Sequence, residues 1–168
     1  MTRPLIGVDL VPLSRVRDLL GPVTGPVTGP GTGTDPGSRS GSDPGPLLGR
    51  FLSAEELAAS RTPDGAPDPS GIAGRLAAKE AVFKLLGSVG RPVPWQGIEV
   101  LRGPGGRPGV RLSGRAAELA RTAGVGPIDV SISHDAGFAI AVAATTTSVQ
   151  DRPVQDRPVQ DRPVPLDQ

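Results

Sequence analysis

The chain has only two lysines. Both stand in one octet, AAKEAVFK (residues 77–84), with Glu80 between Lys79 and Lys84. Every other basic residue, apart from a single histidine, is an arginine. On a helix, Glu80 and Lys84 are four residues apart and stack on one face. An exposed Glu–Lys pair of this kind is commonplace and contributes only ~0.3–0.5 kcal/mol. Here the same stripe carries Ala73, Leu76, Ala77 and Phe83. Charges set among small and apolar residues are expected to line a pocket. Arg75 and Lys79 fall on other faces of the helix, and one of them is expected to be merely solvated. The histidine, His134, lies in SISHD. Ser133 and Asp135 cannot form a catalytic triad with it, because consecutive strand residues point to opposite faces. A histidine at a strand end suits donation to an anion such as phosphate; taken alone, the segment reads more readily as a surface turn histidine. Asp9 sits inside the apolar run LIGVDLV (residues 5–11). A carboxylate there either faces solvent or needs a cation, hydrogen bonds or a metal. Taken together, Asp9 and Glu80 with a phosphate oxygen suit Mg²⁺, which takes one or two carboxylates and fills its octahedron with phosphate and water. Lys84, His134 and Arg75 would neutralise the remaining phosphate charge. The chemistry this set suits is phosphoryl-type transfer from a pyrophosphate.

Composition narrows the alternatives. With no cysteine there is no disulfide, thiolate nucleophile or Cys-based zinc site. One histidine excludes a multi-histidine metal site within a chain. A formal net charge of +1 gives no bulk attraction to nucleic acid or to an anionic membrane. No apolar run reaches the ~18–20 residues that cross a bilayer, and MTRPLIGVDLV does not read as a signal peptide. A cytoplasmic protein is expected.

The 24 glycines and 20 prolines point to long stretches without regular structure. Two segments account for many of them. Residues 21–46 (GPVTGPVTGPGTGTDPGSRSGSDPGP) read as a flexible insert. Residues 149–168 repeat the unit VQDRP and read as an extended, disordered tail. Residues 1–148 are left as one domain carrying that insert.

Within the domain the patterning predicts a strand over 5–11 and a short helix over 13–20. Ser53 and Glu56 form a capping box that opens another helix. The strongest helix spans 71–87 and stops at Gly87. IEVL and GVRLS predict a hairpin around RGPGGRPG. That glycine-rich stretch leads into a strand rather than a helix and its prolines remove donors, so it reads as a turn and not a phosphate loop. A helix over 114–123 closes at Gly124, and IDVSIS and FAIAVAA predict a second hairpin around HDAG. The order predicts an α+β fold, with an antiparallel-rich sheet against a long central helix.

In their order, these segments resemble the 4′-phosphopantetheinyl transferase superfamily, of the small holo-(acyl-carrier-protein) synthase type. The resemblance rests on IGVDLV, RFLSAEEL, GRLAAKEAVFKLLG, WQGIEVLRGPGGRPGVRLSG and VSISHDAGFAIAVA. It implies the fold of that family and transfer of the 4′-phosphopantetheine arm of coenzyme A to a serine of an apo acyl carrier protein, releasing 3′,5′-ADP. It implies Asp9 and Glu80 as Mg²⁺ ligands, Glu80 and Lys84 as catalytic residues, and Arg75, Lys84 and His134 as contacts to coenzyme A. It gives Lys79 no role and leaves the general base open. It implies a homotrimer with sites between protomers, so that Asp9 and His134 would face Glu80 of a neighbouring chain. It does not separate fatty-acid from polyketide carriers. The rival readings are a non-catalytic module that binds coenzyme A or a carrier protein, and a Gly/Pro-rich interaction protein. The presence of Asp9, Glu80, Lys84 and His134 together favours the enzyme.

Overall fold

The computed structural model describes residues 2–21, 47–87, 92 and 94–148. The bulk of the 21–46 insert and the repeats from 149 onward lie outside them. Five antiparallel strands form one sheet in the order β1-β5-β4-β3-β2. They are β1 (Thr2–Pro12), β2 (Ile98–Arg102), β3 (Pro108–Leu112), β4 (Val125–Asp135) and β5 (Phe138–Ser148). Among the described residues four α-helices accompany them: α1 (Leu13–Leu20), α2 (Ala54–Ala58), α3 (Pro69–Leu85) and α4 (Gly114–Ala123). The fold is α+β, as the patterning predicts.

Helix α3 organises the molecule. Its start is set by Asp68, whose carboxylate accepts the Ser70 N–H at 3.0 Å, and by Pro69 in the first turn, where a missing N–H costs nothing. It lies across β1 and β5 and reaches β4, β2 and α1. The sheet face beneath it is built from small residues. On β5 these are Ala139, Ala141 and Ala143, all fully buried. On β1 the residue is Gly7, where a Cβ would stand 2.1 Å from the Ala81 carbonyl oxygen. The helix answers with Gly74, Ala77, Ala78 and Ala81. Small residues on both surfaces let backbone approach backbone. That close approach brings Asp9, on the same face of β1, up against the helix.

The opposite face of β1 and β5 is apolar too, but open. Ile6, Val8 and Leu10 on β1 and Phe138, Ile140 and Val142 on β5 are exposed. The register sets Val8 opposite Val142 and Leu10 opposite Ile140, so these side chains form a continuous row. Strict alternation would have put polar residues there.

Both predicted hairpins form. In the second, β4 runs through His134 and Asp135, and the turn is only Ala136-Gly137, both at positive φ (46° and 81°). That is the two-residue geometry that matches strand twist, at some strain for an alanine. Helix α4 ends at Gly124 in the left-handed conformation, φ 65°, which glycine adopts without a Cβ clash.

Candidate active site

Two groups of ionisable side chains gather along α3. The first joins β1 to the C-terminal half of the helix. Lys84 Nζ donates to Asp9 Oδ1 at 2.8 Å and also to the Val8 carbonyl. The Asp9 side chain is 14 % exposed and that of Lys84 is 51 %. The Glu80 carboxyl is within hydrogen-bonding reach of Asp9. Arg15 of α1 approaches Glu80 at 3.7 Å. Burial pushes the Glu80 pKa up, and the hydrogen bond and negative charge of Asp9 push it further; Arg15 and Lys84 offset part of this. Asp9 is therefore not the solvent-facing strand residue that was one of its two readings. It also faces Glu80 of its own chain, which corrects the expectation that it meets a neighbour's Glu80.

Two carboxylates this close repel when both are ionised, and a divalent cation between them relieves that repulsion. No third acidic or histidine side chain joins them among the described residues. A pair of oxygen ligands fits Mg²⁺, which fills its remaining positions with phosphate and water. It does not suit zinc, whose sites take three or four protein ligands, mostly nitrogen and sulfur.

The second group surrounds a cavity of about 260 Å³ near the N-terminal end of α3, lined by Gly71, Gly74, Arg75, Arg102 and His134 among others. His134 turns toward the helix, with Nε2 at 2.9 Å from the Ser70 carbonyl oxygen. Gly74 makes room for it, since a Cβ there would stand 3.1 Å from His134 Nε2. Arg75 is buried and holds three carbonyls: Nε to Val100 at 3.2 Å, Nη1 to Gly71 at 3.2 Å and Nη2 to Ala59 at 3.1 Å. Burial lowers the Arg75 pKa, Glu56 offsets this, and the nearby Arg102 adds to the lowering. The residues named here give the cavity cationic groups and no carboxylate, a composition suited to an anion.

The two groups are distinct within one chain. In the register, Asp9 and His134 are separated by two strand spacings and two positions along the strands, which puts their backbones about 12 Å apart.

Sequence reasoning expected one of Arg75 and Lys79 to be merely solvated. Neither is. Lys79 is fully buried and its ammonium meets Glu56 Oε2 at 2.6 Å, the Phe51 carbonyl at 2.7 Å and the Trp95 carbonyl at 2.8 Å. Burial lowers its pKa, and Glu56 opposes that. The reason is that α3 is covered on nearly every side, so the faces away from the sheet are also interior. Glu56 was legible only as the capping residue, which it is. Arg15 and Arg102 went unnoticed. Arginine is so frequent in this chain that residue type carries no signal for them.

The chain has relatives among known proteins. A sequence model of the 4′-phosphopantetheinyl transferase superfamily matches residues 5–143. A holo-[acyl-carrier-protein] synthase of Desulforudis audaxviator is 36% identical over 138 residues, covering 82% of this chain and 88% of the relative. One from Moorella thermoacetica is 52% identical over 81 residues, covering 48% of this chain and 62% of the relative, a little under two thirds of its length. Among solved structures, the Helicobacter pylori holo-[acyl-carrier-protein] synthase in complex with coenzyme A superposes with a TM-score of 0.59 at 29% identity, covering 84% of this chain and 99% of that one. The Chronobacterium ammoniagenes coenzyme A complex gives 0.60 at 28% identity, covering 88% and 99%.

Proposed function

The chain belongs to the 4′-phosphopantetheinyl transferase superfamily, and we propose that it acts as a holo-[acyl-carrier-protein] synthase. It transfers the 4′-phosphopantetheine group of coenzyme A to a serine of an apo acyl carrier protein. The serine hydroxyl gives up its proton to a base, its oxygen forms a bond to the β-phosphorus, the bond from that phosphorus to the oxygen bridging to the α-phosphate breaks, and 3′,5′-ADP leaves with the electron pair. The observation that carries this reading is the Asp9–Glu80–Lys84 group, which the close packing of β1 on α3 assembles within one chain.

Asp9 and Glu80 would hold Mg²⁺. When bound, the ion supplies Lewis acidity and charge neutralisation at the pyrophosphate. Lys84, fixed by Asp9 and the Val8 carbonyl, presents a compact charge toward the reacting phosphate and stabilises negative charge that develops there. His134 and the donors of Arg75 not used on carbonyls face the phosphates of the nucleotide end, in the cavity they line.

We further propose a homotrimer. The two groups lie apart in one chain, and the row formed by Ile6, Val8, Leu10, Phe138, Ile140 and Val142 is the kind of apolar surface that a second copy covers. One protomer would then contribute Asp9, Glu80 and Lys84 and its neighbour the cavity with His134. The proposal places the enzyme in the cytoplasm; no described helix is long and apolar enough to cross a membrane.

The test is the intact mass of an apo acyl carrier protein incubated with this protein, coenzyme A and Mg²⁺, beside an EDTA control. The expected result is a gain of one phosphopantetheine group that EDTA abolishes. A folded protein that binds coenzyme A but modifies none of several carriers would favour the non-catalytic binding module.

A further inference from the structure

The buried Glu56–Lys79 pair is an unusual thing to find in so small a core. Removing two charges from water is expensive, and a well-packed apolar pair in the same space is often as stable or more so. Every polar atom of the pair is nevertheless used. The three acceptors of the Lys79 ammonium come from Phe51, Glu56 and Trp95. Glu56 Oε2 also accepts the Ser53 N–H at 2.8 Å, and Oε1 accepts the Val100 N–H at 2.8 Å. The Val100 carbonyl in turn accepts from Arg75 Nε at 3.2 Å. Val100 is thus held at both of its backbone groups, by Glu56 on its N–H and by Arg75 on its carbonyl. Val100 and Arg75 both line the anion-suited cavity, together with Leu101 and Arg102 on the same strand. The rings of Phe51 and Trp95, edge to face at a centroid distance of 5.3 Å, brace the two loops whose carbonyls hold Lys79.

We propose that Lys79 and Glu56 are positioning residues for the coenzyme A cavity: through the Val100 peptide they set where Arg75 and the β2 wall stand, and so control affinity for the nucleotide end of coenzyme A. This rests on the reading that the cavity takes that phosphate-bearing end. Neither residue touches the substrate. Their influence runs along Lys79, Glu56, Val100 and Arg75, and ends at the cavity rather than at the Asp9–Glu80 group.

The test uses the full chain. In the double variant Glu56→Gln with Lys79→Met both charges of the pair go together, so that neither is stranded without the other. Three quantities are read: the melting temperature, the Kd for coenzyme A by calorimetry, and kcat at saturating coenzyme A. The expected result is a folded protein with Kd and KM for coenzyme A raised ~10-fold or more, the order of loss seen when an outer supporting contact of a binding group is removed, and kcat within about twofold of wild type. Val82→Ala, a buried site on the same helix outside this relay, serves as the control and is expected to lower the melting temperature without moving Kd. If the double variant does not fold, Lys79→Arg replaces it. A planar guanidinium cannot reproduce three contacts converging on one nitrogen, so the same selective loss of affinity is expected. A folded variant with wild-type Kd overturns the positioning role and leaves the proposed function standing. An equal fall in kcat and rise in Kd, matched by Val82→Ala, also overturns it, because general destabilisation would then suffice. Wild-type protein that binds no coenzyme A overturns the function reading and this one with it.

Discussion

Residues 79 and 80 are neighbours on one helix, and each is part of a charged cluster, yet the clusters differ in kind. Around Lys79 every charge is matched inside a closed interior: one ammonium, one carboxylate, and backbone groups filling the remaining directions. Around Glu80 the matching is incomplete. Two carboxylates crowd each other, Arg15 stands off at 3.7 Å, and Lys84 is half exposed. A satisfied buried pair can only hold a structure in place. An unsatisfied group at the edge of solvent has capacity left for a ligand. The 100° turn between consecutive helix residues sends one side chain to each environment.

The comparison yields variants that separate the two clusters. The largest effect is expected on turnover from Glu80→Gln, which keeps the shape and removes a charge from the proposed metal site. Transfer should fall by ~10²–10³-fold or more, as for loss of a principal electrostatic contributor, with no fall in melting temperature. Lys79→Met should do the reverse of this in stability, because it strands the Glu56 charge in the core. A loss of ~3–5 kcal/mol by chemical denaturation is expected. Gly7→Ala tests the packing that joins the clusters to the sheet. Its new methyl would collide with the Ala81 carbonyl, so β1 must move off α3. A cost of ~1–3 kcal/mol should come with weaker transfer, since Asp9 moves with β1.

The smallest effect concerns pH. Burial and Asp9 raise the Glu80 pKa in the folded protein. Between the unfolded and folded values the folded state holds a proton that the unfolded state lacks, so stability from this group is lost as pH rises through the folded value. In EDTA, Glu80→Gln should therefore melt higher than wild type at about pH 7, and the gain should shrink towards about pH 4, where the carboxyl is protonated in both states. A gain independent of pH would point to packing instead.

Much of the fold was readable from the sequence, because its elements carry strong local signals. The apolar run at β1, the capping box at Ser53, and the glycines ending α3 and α4 each specify structure within a few residues. Asp9, Glu80 and Lys84 stood out because their types are rare in their surroundings, and the structure brings them together. What stayed hidden depends on distant packing. Glu56 and Lys79 are 23 positions apart, and nothing local shows that both are interior. Nor does the helix pattern reveal that α3 is enclosed on the faces away from the sheet, since small residues occur all around it. The anion-suited cavity is likewise assembled from α3, β2, the turn before β3, and β4, and only tertiary structure unites them.

The claim that Glu80 belongs to a ligand-binding cluster and Lys79 to a closed one is tested most directly by Mn²⁺ binding. Mn²⁺ takes oxygen ligands much as Mg²⁺ does and is followed by electron paramagnetic resonance, in the presence of coenzyme A. Wild type and folded Lys79→Arg protein should both bind the ion once coenzyme A is saturating, and Glu80→Gln should not. Undiminished Mn²⁺ binding by Glu80→Gln would contradict the account at its centre.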